Sequence, residues 1–338
     1  MRSKNIKLKD VAKEAGVSVS TVSRVINNEK FISDKVRKSV NKAIKKLNYQ
    51  PEWVARSLRL GRTDTVGVII PNISDYFLSS IVLGVEKFFC NKEKDIILFN
   101  TKNNEKTEER AIKLAFSKRV DGIVISTICK NEKIMTSLMD SFGIPIVIVD
   151  NRLNIKNIDQ VLCDDINGSL KIINHLIKVH NYKTIACISG PFDESSGLDK
   201  FLGYKKALVE NGIEVNMDYV KVANWQKKLA YESTRQLLDM KKRPEAIYCT
   251  NSNMLIGCLR YLIEKNIKIP EDVAIVTFDD YDFVSVLGPP VTSLERIDIE
   301  MGKKAAELLF KRIQGSKEDY EEIRIDPKLI IRRSCGCE

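Results

Sequence analysis

Hydroxyl, amide and guanidinium side chains share one side of a short segment near the start of the chain. The positions are Ser20, Thr21, Ser23, Arg24 and Asn27. A guanidinium such as that of Arg24 can fork to guanine or pair with phosphate, and the amide of Asn27 can contact a base or the backbone. The three hydroxyls can reach phosphates or base edges. This set of donors and acceptors predicts contact with DNA.

The apolar pattern around these residues predicts a helix-turn-helix that positions them. Leucine, valine and alanine recur at helical spacing over residues 8–15, and Gly16 then interrupts the pattern. Ser18 can cap a second helix over residues 19–27 by accepting from backbone N–H groups, and it is also expected among the DNA-binding residues. In such a motif the second helix lies in the major groove, where Val19 can meet a thymine methyl group.

Positive charge is concentrated in the first 62 residues. They contain 16 Lys and Arg against 5 Asp and Glu, whereas the remaining residues contain 39 against 40. Several of the lysines fall on a predicted third helix over residues 34–47, which Ser33 caps. A positive head on a near-neutral body indicates a phosphate-binding module joined to a domain with another task.

After residue 62 short apolar runs alternate with amphipathic stretches. This alternation predicts an α/β fold with parallel sheets and helices on both faces, in two groups that form two lobes. In such folds ligands bind in the crevice at the carboxyl ends of the strands. The runs span 66–70, 95–100, 122–126, 145–150, 160–165, 183–190, 219–224, 246–251 and 273–280.

Polar and aromatic residues stand at or just after the ends of these predicted strands. Aromatic faces stack on a ring, while carboxylates and amides hydrogen-bond its hydroxyls, so the set suits a polyol. Each residue alone is as well explained as a helix cap or a core residue, but together they favour a ligand site. They are Asn72, Tyr76, Phe77, Ser126, Asp150, Trp225, Asn251 and Asp279.

Motifs of common enzymes and metal sites are absent from the sequence. It has no phosphate-binding loop, no Gly-x-Ser-x-Gly and no His-Glu-x-x-His, so we expect neither enzymatic activity nor a cofactor. His175 and His180 have a spacing that is poor for a shared metal. Cys335 and Cys337 supply only two ligands and are expected on an exposed, frayed tail. No metal site is therefore predicted.

The sequence also lacks signals for a membrane or for export. No apolar run reaches the ~18 residues that span a bilayer, and the charged N-terminus has no apolar signal-peptide core. We therefore expect a cytoplasmic protein without a membrane partner.

The segment LKDVAKEAGVSVSTVSRVINN, with the Asn48-Tyr49-Gln50-Pro51 turn and residues 52–60, resembles the start of lactose-repressor (LacI) family transcription regulators. The resemblance implies an all-α helix-turn-helix domain (6–50), a hinge helix (51–62) and a type I periplasmic-binding-protein core (63–338). That core is a two-lobed, doubly wound parallel-sheet structure. Its expected N-lobe is about 63–160 and 292–322, and its C-lobe about 161–291 and 323–334. Family members insert a hinge leucine into the minor groove. Leu58 matches that leucine, and Ala55 matches the small residue beside it.

The resemblance further implies a homodimeric repressor whose affinity for operator DNA is set by a small molecule, such as a sugar or sugar derivative, bound between the lobes. Asn251, Trp225 and Asp279 match positions that bind effector in the family. One departure is Leu198, which stands where an effector-clamping arginine is usual. Two alternatives stay open. One is a regulator controlled by a protein partner on the N-lobe. The other is a solute-binding module or enzyme that uses the two-lobed core and does not depend on the positively charged N-terminal segment.

Overall fold

The structure, a computed structural model, describes residues 6–26, 31–49, 63–128, 132–295 and 297–338. The chain divides into two compact units, Met1–Thr63 and Asp64–Glu338.

The first unit is a bundle of three helices: α1 (Leu8–Ala15), α2 (Val19–Ile26) and α3 (Asp34–Leu47). Gly16 ends α1 with a φ of 69°, a left-handed conformation that favours glycine. Ser18 Oγ accepts a 3.1 Å hydrogen bond from the backbone N–H of Thr21, as expected of a residue that caps α2. The predicted helix-turn-helix is confirmed. Asn27 and the hinge, with Ala55 and Leu58, lie outside the described residues.

The second unit contains twelve strands among the described residues. They are β1 (Thr65–Ile70), β2 (Asp95–Asn100), β3 (Gly122–Ile125), β4 (Ile146–Val149), β5 (Asp159–Cys163), β6 (Ile185–Ser189), β7 (Val220–Val222), β8 (Ala246–Cys249), β9 (Ala274–Thr277), β10 (Thr292–Glu295), β11 (Glu322–Ile325) and β12 (Lys328–Ile330).

Helices follow most of these strands, which is the alternation that the sequence predicts. They are α4 (Tyr76–Cys90), α5 (Glu105–Ser117), α6 (Glu132–Phe142), α7 (Asp165–His180), α8 (Ser195–Glu210), α9 (Lys227–Leu238), α10 (Ser252–Glu264), α11 (Asp282–Ser285) and α12 (Asp298–Ile313). Among the described residues, none of the helices combines the length and apolar composition needed to cross a bilayer.

The strands form two six-stranded sheets, one in each lobe. The N-lobe sheet has the order β11-β5-β4-β3-β1-β2 and is parallel throughout, and the C-lobe sheet has the order β12-β10-β9-β8-β6-β7, in which only β12 is antiparallel. In both sheets the direction of winding reverses beside the first strand, between β1 and β3 and between β6 and β8. Such switch points open a crevice at the carboxyl ends of the strands.

The lobe boundaries differ from the predicted ones by a few residues. The strand β5 pairs with β4 and with β11 in the N-lobe sheet, although the predicted boundaries at 160 and 322 divide these segments. The strand β10 pairs with β9 in the C-lobe sheet, although its residues were expected in the N-lobe. Apolar runs show where strands are but not which sheet each strand joins.

The expectation of an exposed, frayed C-terminal tail is wrong. The side chain of Cys335 has no exposed surface, and that of Cys337 is partly buried. The strand β12 pairs with β10, and this pairing carries the following residues back against the C-lobe.

Candidate functional site

The exposed side of α2 carries most of the side chains expected to contact DNA. Val19 keeps 46% of its surface exposed although it is apolar, and Arg24 on the same helix is also exposed. Val22 and Val25 face the core of the bundle, so the two sides of the helix divide as the sequence predicts. The remaining expected residues on this surface are exposed or half-buried: Ser18, Ser20, Thr21 and Ser23.

A cleft of about 630 Å³ lies between the two lobes of the second unit. Its walls are built from segments that follow the carboxyl ends of β1, β4, β6, β7, β8 and β9, as the switch-point topology requires. Six of the eight predicted ligand residues line it: Asn72, Phe77, Asp150, Trp225, Asn251 and Asp279.

Two predicted ligand residues do not line this cleft. The Tyr76 ring instead packs against the rings of Tyr281 and Phe283, at centroid distances of 5.3 and 6.3 Å. Ser126 is buried, and its hydroxyl has no hydrogen-bond partner among the described residues. Both residues follow the strand-end pattern in sequence, but the pattern does not specify which way a side chain points.

Trp225 is held in place by contacts to three parts of the C-lobe. Its Nε1 donates a 2.8 Å hydrogen bond to Glu194 Oε2, and the Lys200 Nζ lies 5.1 Å from the centroid of its ring. Gly190 lies under the indole so closely that any Cβ there would overlap ring atoms. Trp225 also has a φ of 59°, a backbone conformation that is unfavourable for a bulky residue. The packing of the indole offsets this cost.

Lys200 lines the cleft but is not among the predicted ligand residues. Leu198, at the position of the missing arginine, lines a smaller neighbouring cavity of about 230 Å³ with Arg152. Lys200, two positions later, lines the main cleft with 2% of its surface exposed. Its Nζ lies 4.0 Å from Asp165 Oδ1 and 4.5 Å from the Phe278 ring centroid, so the main cleft holds a cation two positions after the expected clamp.

Asn251 and Asp279 organise the first turn of α10 at the floor of the cleft. Asn251 Oδ1 accepts from the backbone N–H of Met254 at 2.9 Å, and Asp279 Oδ2 accepts from that of Ser252 at 2.7 Å. The helix-cap interpretation of these residues therefore holds, and both also line the cleft. The carboxylate of Asp279 is buried, and its Oδ2 is the atom that accepts the hydrogen bond from α10.

Hydrogen bonds join the lobes beside the cleft. Asn253 Nδ2 of the C-lobe donates to Asp75 Oδ2 of the N-lobe at 3.2 Å. The backbone N–H of Arg152 in the N-lobe also donates to Ser195 Oγ of the C-lobe at 2.7 Å. The Arg152 guanidinium also lies 3.7 Å from Asp199 Oδ1; burial raises the pKa of the Asp199 carboxyl, and this guanidinium opposes the rise.

The cleft is rich in carboxylates. Lys200 is the only Lys or Arg among its described lining residues. The acidic lining residues are Asp75, Glu105, Asp150, Asp193, Glu194 and Asp279. Such a surface presents acceptors to a ligand rich in hydroxyl donors and repels an anion.

A helix-turn-helix unit joined to a two-lobed binding core defines a ligand-responsive DNA-binding regulator. Comparison with known families agrees with this class. The model of the lacI family of bacterial regulatory proteins matches residues 7–52. The model of periplasmic binding proteins and the sugar binding domain of the LacI family matches residues 63–333.

Individual relatives cover almost the whole chain. The HTH-type transcriptional repressor PurR of Vibrio atlanticus is 32% identical over 96% of this chain and 97% of its own. Among solved structures, a complex of the transcriptional regulator CelR with cellobiose is 28% identical, with a TM-score of 0.75 over 97% and 99% of the two chains. The lac repressor dimer bound to operator and an anti-inducer, 23% identical, shares the fold with a TM-score of 0.88 over 98% and 99%.

The chain therefore belongs to the LacI family of bacterial transcription regulators, and it is a DNA-binding regulator rather than an enzyme.

Proposed function

We propose that this chain represses transcription as a homodimer whose affinity for operator DNA is set by a neutral, hydroxyl-rich small molecule bound in the cleft. The observation that carries the proposal is the convergence of Trp225, Asn251 and Asp279 in the cleft, just after the carboxyl ends of three strands of the same sheet. An aromatic face with amide and carboxylate acceptors around it is the arrangement that binds a sugar ring. Such a regulator acts in the cytoplasm, where bacterial operator DNA is found.

The charge of the cleft supports a neutral ligand over a sugar phosphate or sugar acid. Six carboxyl groups line the cleft, and the ammonium of Lys200 is already engaged by Asp165 and two aromatic rings. An anionic ligand would have to approach this surface without the bidentate arginine that Leu198 replaces. The CelR structure, whose ligand is the neutral sugar cellobiose, is consistent with this choice.

The surface of α2 supports binding of DNA by side chains that suit base edges and phosphates. Two copies in a homodimer present two such helices to successive major grooves, which requires an operator of roughly palindromic sequence. Ligand changes operator affinity only if it binds one arrangement of the lobes more tightly than another.

The ligand is tested by thermal shift and calorimetry with neutral mono- and disaccharides, sugar phosphates and purine bases. We expect stabilisation by a neutral sugar, with Asp279→Asn weakening its binding by about 10- to 100-fold, because a charged hydrogen bond contributes about 1.5–3 kcal/mol. The asparagine retains an oxygen that can accept from the Ser252 N–H, so α10 keeps its cap. Asp239→Asn, on an exposed helix end, is the matched control. Binding of a sugar phosphate in preference to its parent sugar would refute the neutral-ligand proposal.

A further inference from the structure

Two histidines and two cysteines from distant parts of the sequence meet at the far end of α7. His175 and His180 belong to that helix, and Cys335 and Cys337 belong to the C-terminal segment. One donor atom from each of the four side chains lies within 4.8 Å of all the others. From this geometry we propose that His175, His180, Cys335 and Cys337 form a structural Zn²⁺ site in the C-lobe.

The distances between donor atoms fit a tetrahedral ion. Nε2 of His175 lies 3.4 Å from Cys335 Sγ and 3.6 Å from Cys337 Sγ. Nε2 of His180 lies 3.3 Å from Cys337 Sγ. Zinc bonds of about 2.3 Å to sulfur and about 2.0 Å to nitrogen, at tetrahedral angles, separate those ligand atoms by about 3.5 Å.

The backbone of the tail is shaped to bring both thiols to the histidines. Gly336, between the cysteines, has a φ of 105°, and a Cβ on it would approach His180 Nδ1 to 3.2 Å and the Tyr182 hydroxyl to 3.3 Å. The Tyr182 hydroxyl donates a 3.2 Å hydrogen bond to the carbonyl of Cys335. Both the positive φ and the closeness of His180 and Tyr182 favour glycine between the two cysteine ligands.

Cys335 has the surroundings of a metal-bound thiolate. Its side chain is fully buried, and Thr292 Oγ1 donates to its Sγ at 3.1 Å, as outer-shell partners of ligand atoms do.

Two thiolates and two imidazoles select zinc among common metals, because soft sulfur with nitrogen in tetrahedral geometry is its preferred ligand set. Four protein ligands leave no open position, so the ion is structural and performs no catalysis. Each thiol releases its proton to solvent when it binds the metal. The site fastens the last residues of the chain to α7, whose first turn carries Asp165 beside the cleft.

The full chain, purified under reducing conditions, is loaded with zinc, dialysed, and analysed for bound metal. We expect one zinc per chain and, after exchange for Co²⁺, the d–d and thiolate charge-transfer absorption of a tetrahedral site. Because Cys335 is fully buried, the decisive variants are Cys337→Ser and His180→Gln, whose side chains are partly exposed. Each is expected to weaken zinc binding by more than about 100-fold, beyond the effect of losing an outer-shell partner.

Cys90→Ser, an exposed cysteine away from the cluster, is the control and should keep one zinc per chain. Circular dichroism confirms that each variant is folded. Zinc retained equally by all variants, or no stoichiometric zinc in the parent chain, would overturn the proposal. So would a mass lower by two hydrogens without metal, which indicates a Cys335–Cys337 disulfide. The measurement needs neither operator nor effector, so its outcome is independent of the proposed function.

Discussion

Substituting Gly190 with alanine tests the geometry of the cleft with a single added methyl group. The Cβ would lie well inside 3.0 Å of several atoms of the Trp225 indole, which packs directly over this glycine. The φ of Gly190 is not in the left-handed region, so alanine is compatible with the backbone and the effect comes from the collision alone.

The expected loss in the free energy of unfolding follows from the displacement of the Trp225 indole. Carbon atoms pack at about 3.5–4.0 Å, so the indole must withdraw by more than about 1 Å. Overpacking of this kind costs about 1–3 kcal/mol. The movement also breaks the hydrogen bond from Trp225 Nε1 to Glu194, which contributes about 1 kcal/mol at a half-buried site. We therefore expect Gly190→Ala to lower the free energy of unfolding by roughly 2–4 kcal/mol.

Urea denaturation and indole fluorescence measure the two consequences separately. In a Trp53→Phe background, the emission of Trp225 should move to longer wavelength as the ring becomes more exposed, and affinity for the effector should fall. Gly212→Ala is the control, because Gly212 has a φ of 68° and open space around it. It should lose about 1 kcal/mol from backbone strain without changing the emission. Unchanged emission and stability in Gly190→Ala would refute the described packing.

Substitutions at three further positions test other parts of the molecule. Arg24→Ala is expected to weaken operator binding by about 1–3 kcal/mol, and a gel-shift assay over a salt series measures both the loss and the number of phosphate contacts. Arg312→Met is expected to destabilise the core by about 3–5 kcal/mol in urea, because it leaves buried Asp159 without the guanidinium that binds it at 2.7 and 2.9 Å. Thr292→Val should lower zinc affinity by about 10- to 100-fold, whereas Thr292→Ser, which keeps the hydroxyl on Cys335, should retain it. Equal zinc affinities in these two variants would contradict an outer-shell role for the hydroxyl.

Local patterns were sufficient to predict the helices, most strands and the edge at which the cleft opens. The glycine at position 16 and the cap at Ser18 act within a few residues, so their effect is visible in sequence. The strand ends at Asn251 and Asp279 are equally local, because a buried apolar run stops where each polar residue begins. The direction in which a side chain points depends on tertiary contacts rather than on local sequence. Tyr76 and Ser126 therefore follow the same pattern without lining the cleft.

Contacts between distant segments explain what the sequence analysis missed. His175 and His180 have a poor spacing for a metal on an isolated helix, and Cys335 and Cys337 supply only two ligands on an isolated tail. Their convergence depends on the antiparallel pairing of β12 with β10, which sequence periodicity does not reveal. Lys200 is not among the predicted ligand residues for a related reason, since its approach to the cleft depends on how α8 packs against the sheet.

The contacts between the lobes limit how a cleft ligand could act on DNA. A neutral ligand changes no net charge, so under the proposed function it acts by favouring one arrangement of the lobes. Hydrogen bonds between the lobes include Asn253 to Asp75, the Arg152 N–H to Ser195, and the Ser196 N–H to Asn151. Each contributes about 0.5–1.5 kcal/mol, an amount comparable to the 1–3 kcal/mol of a typical allosteric coupling. A ligand that replaced or strengthened only these contacts would therefore suffice to shift operator affinity by a measurable factor.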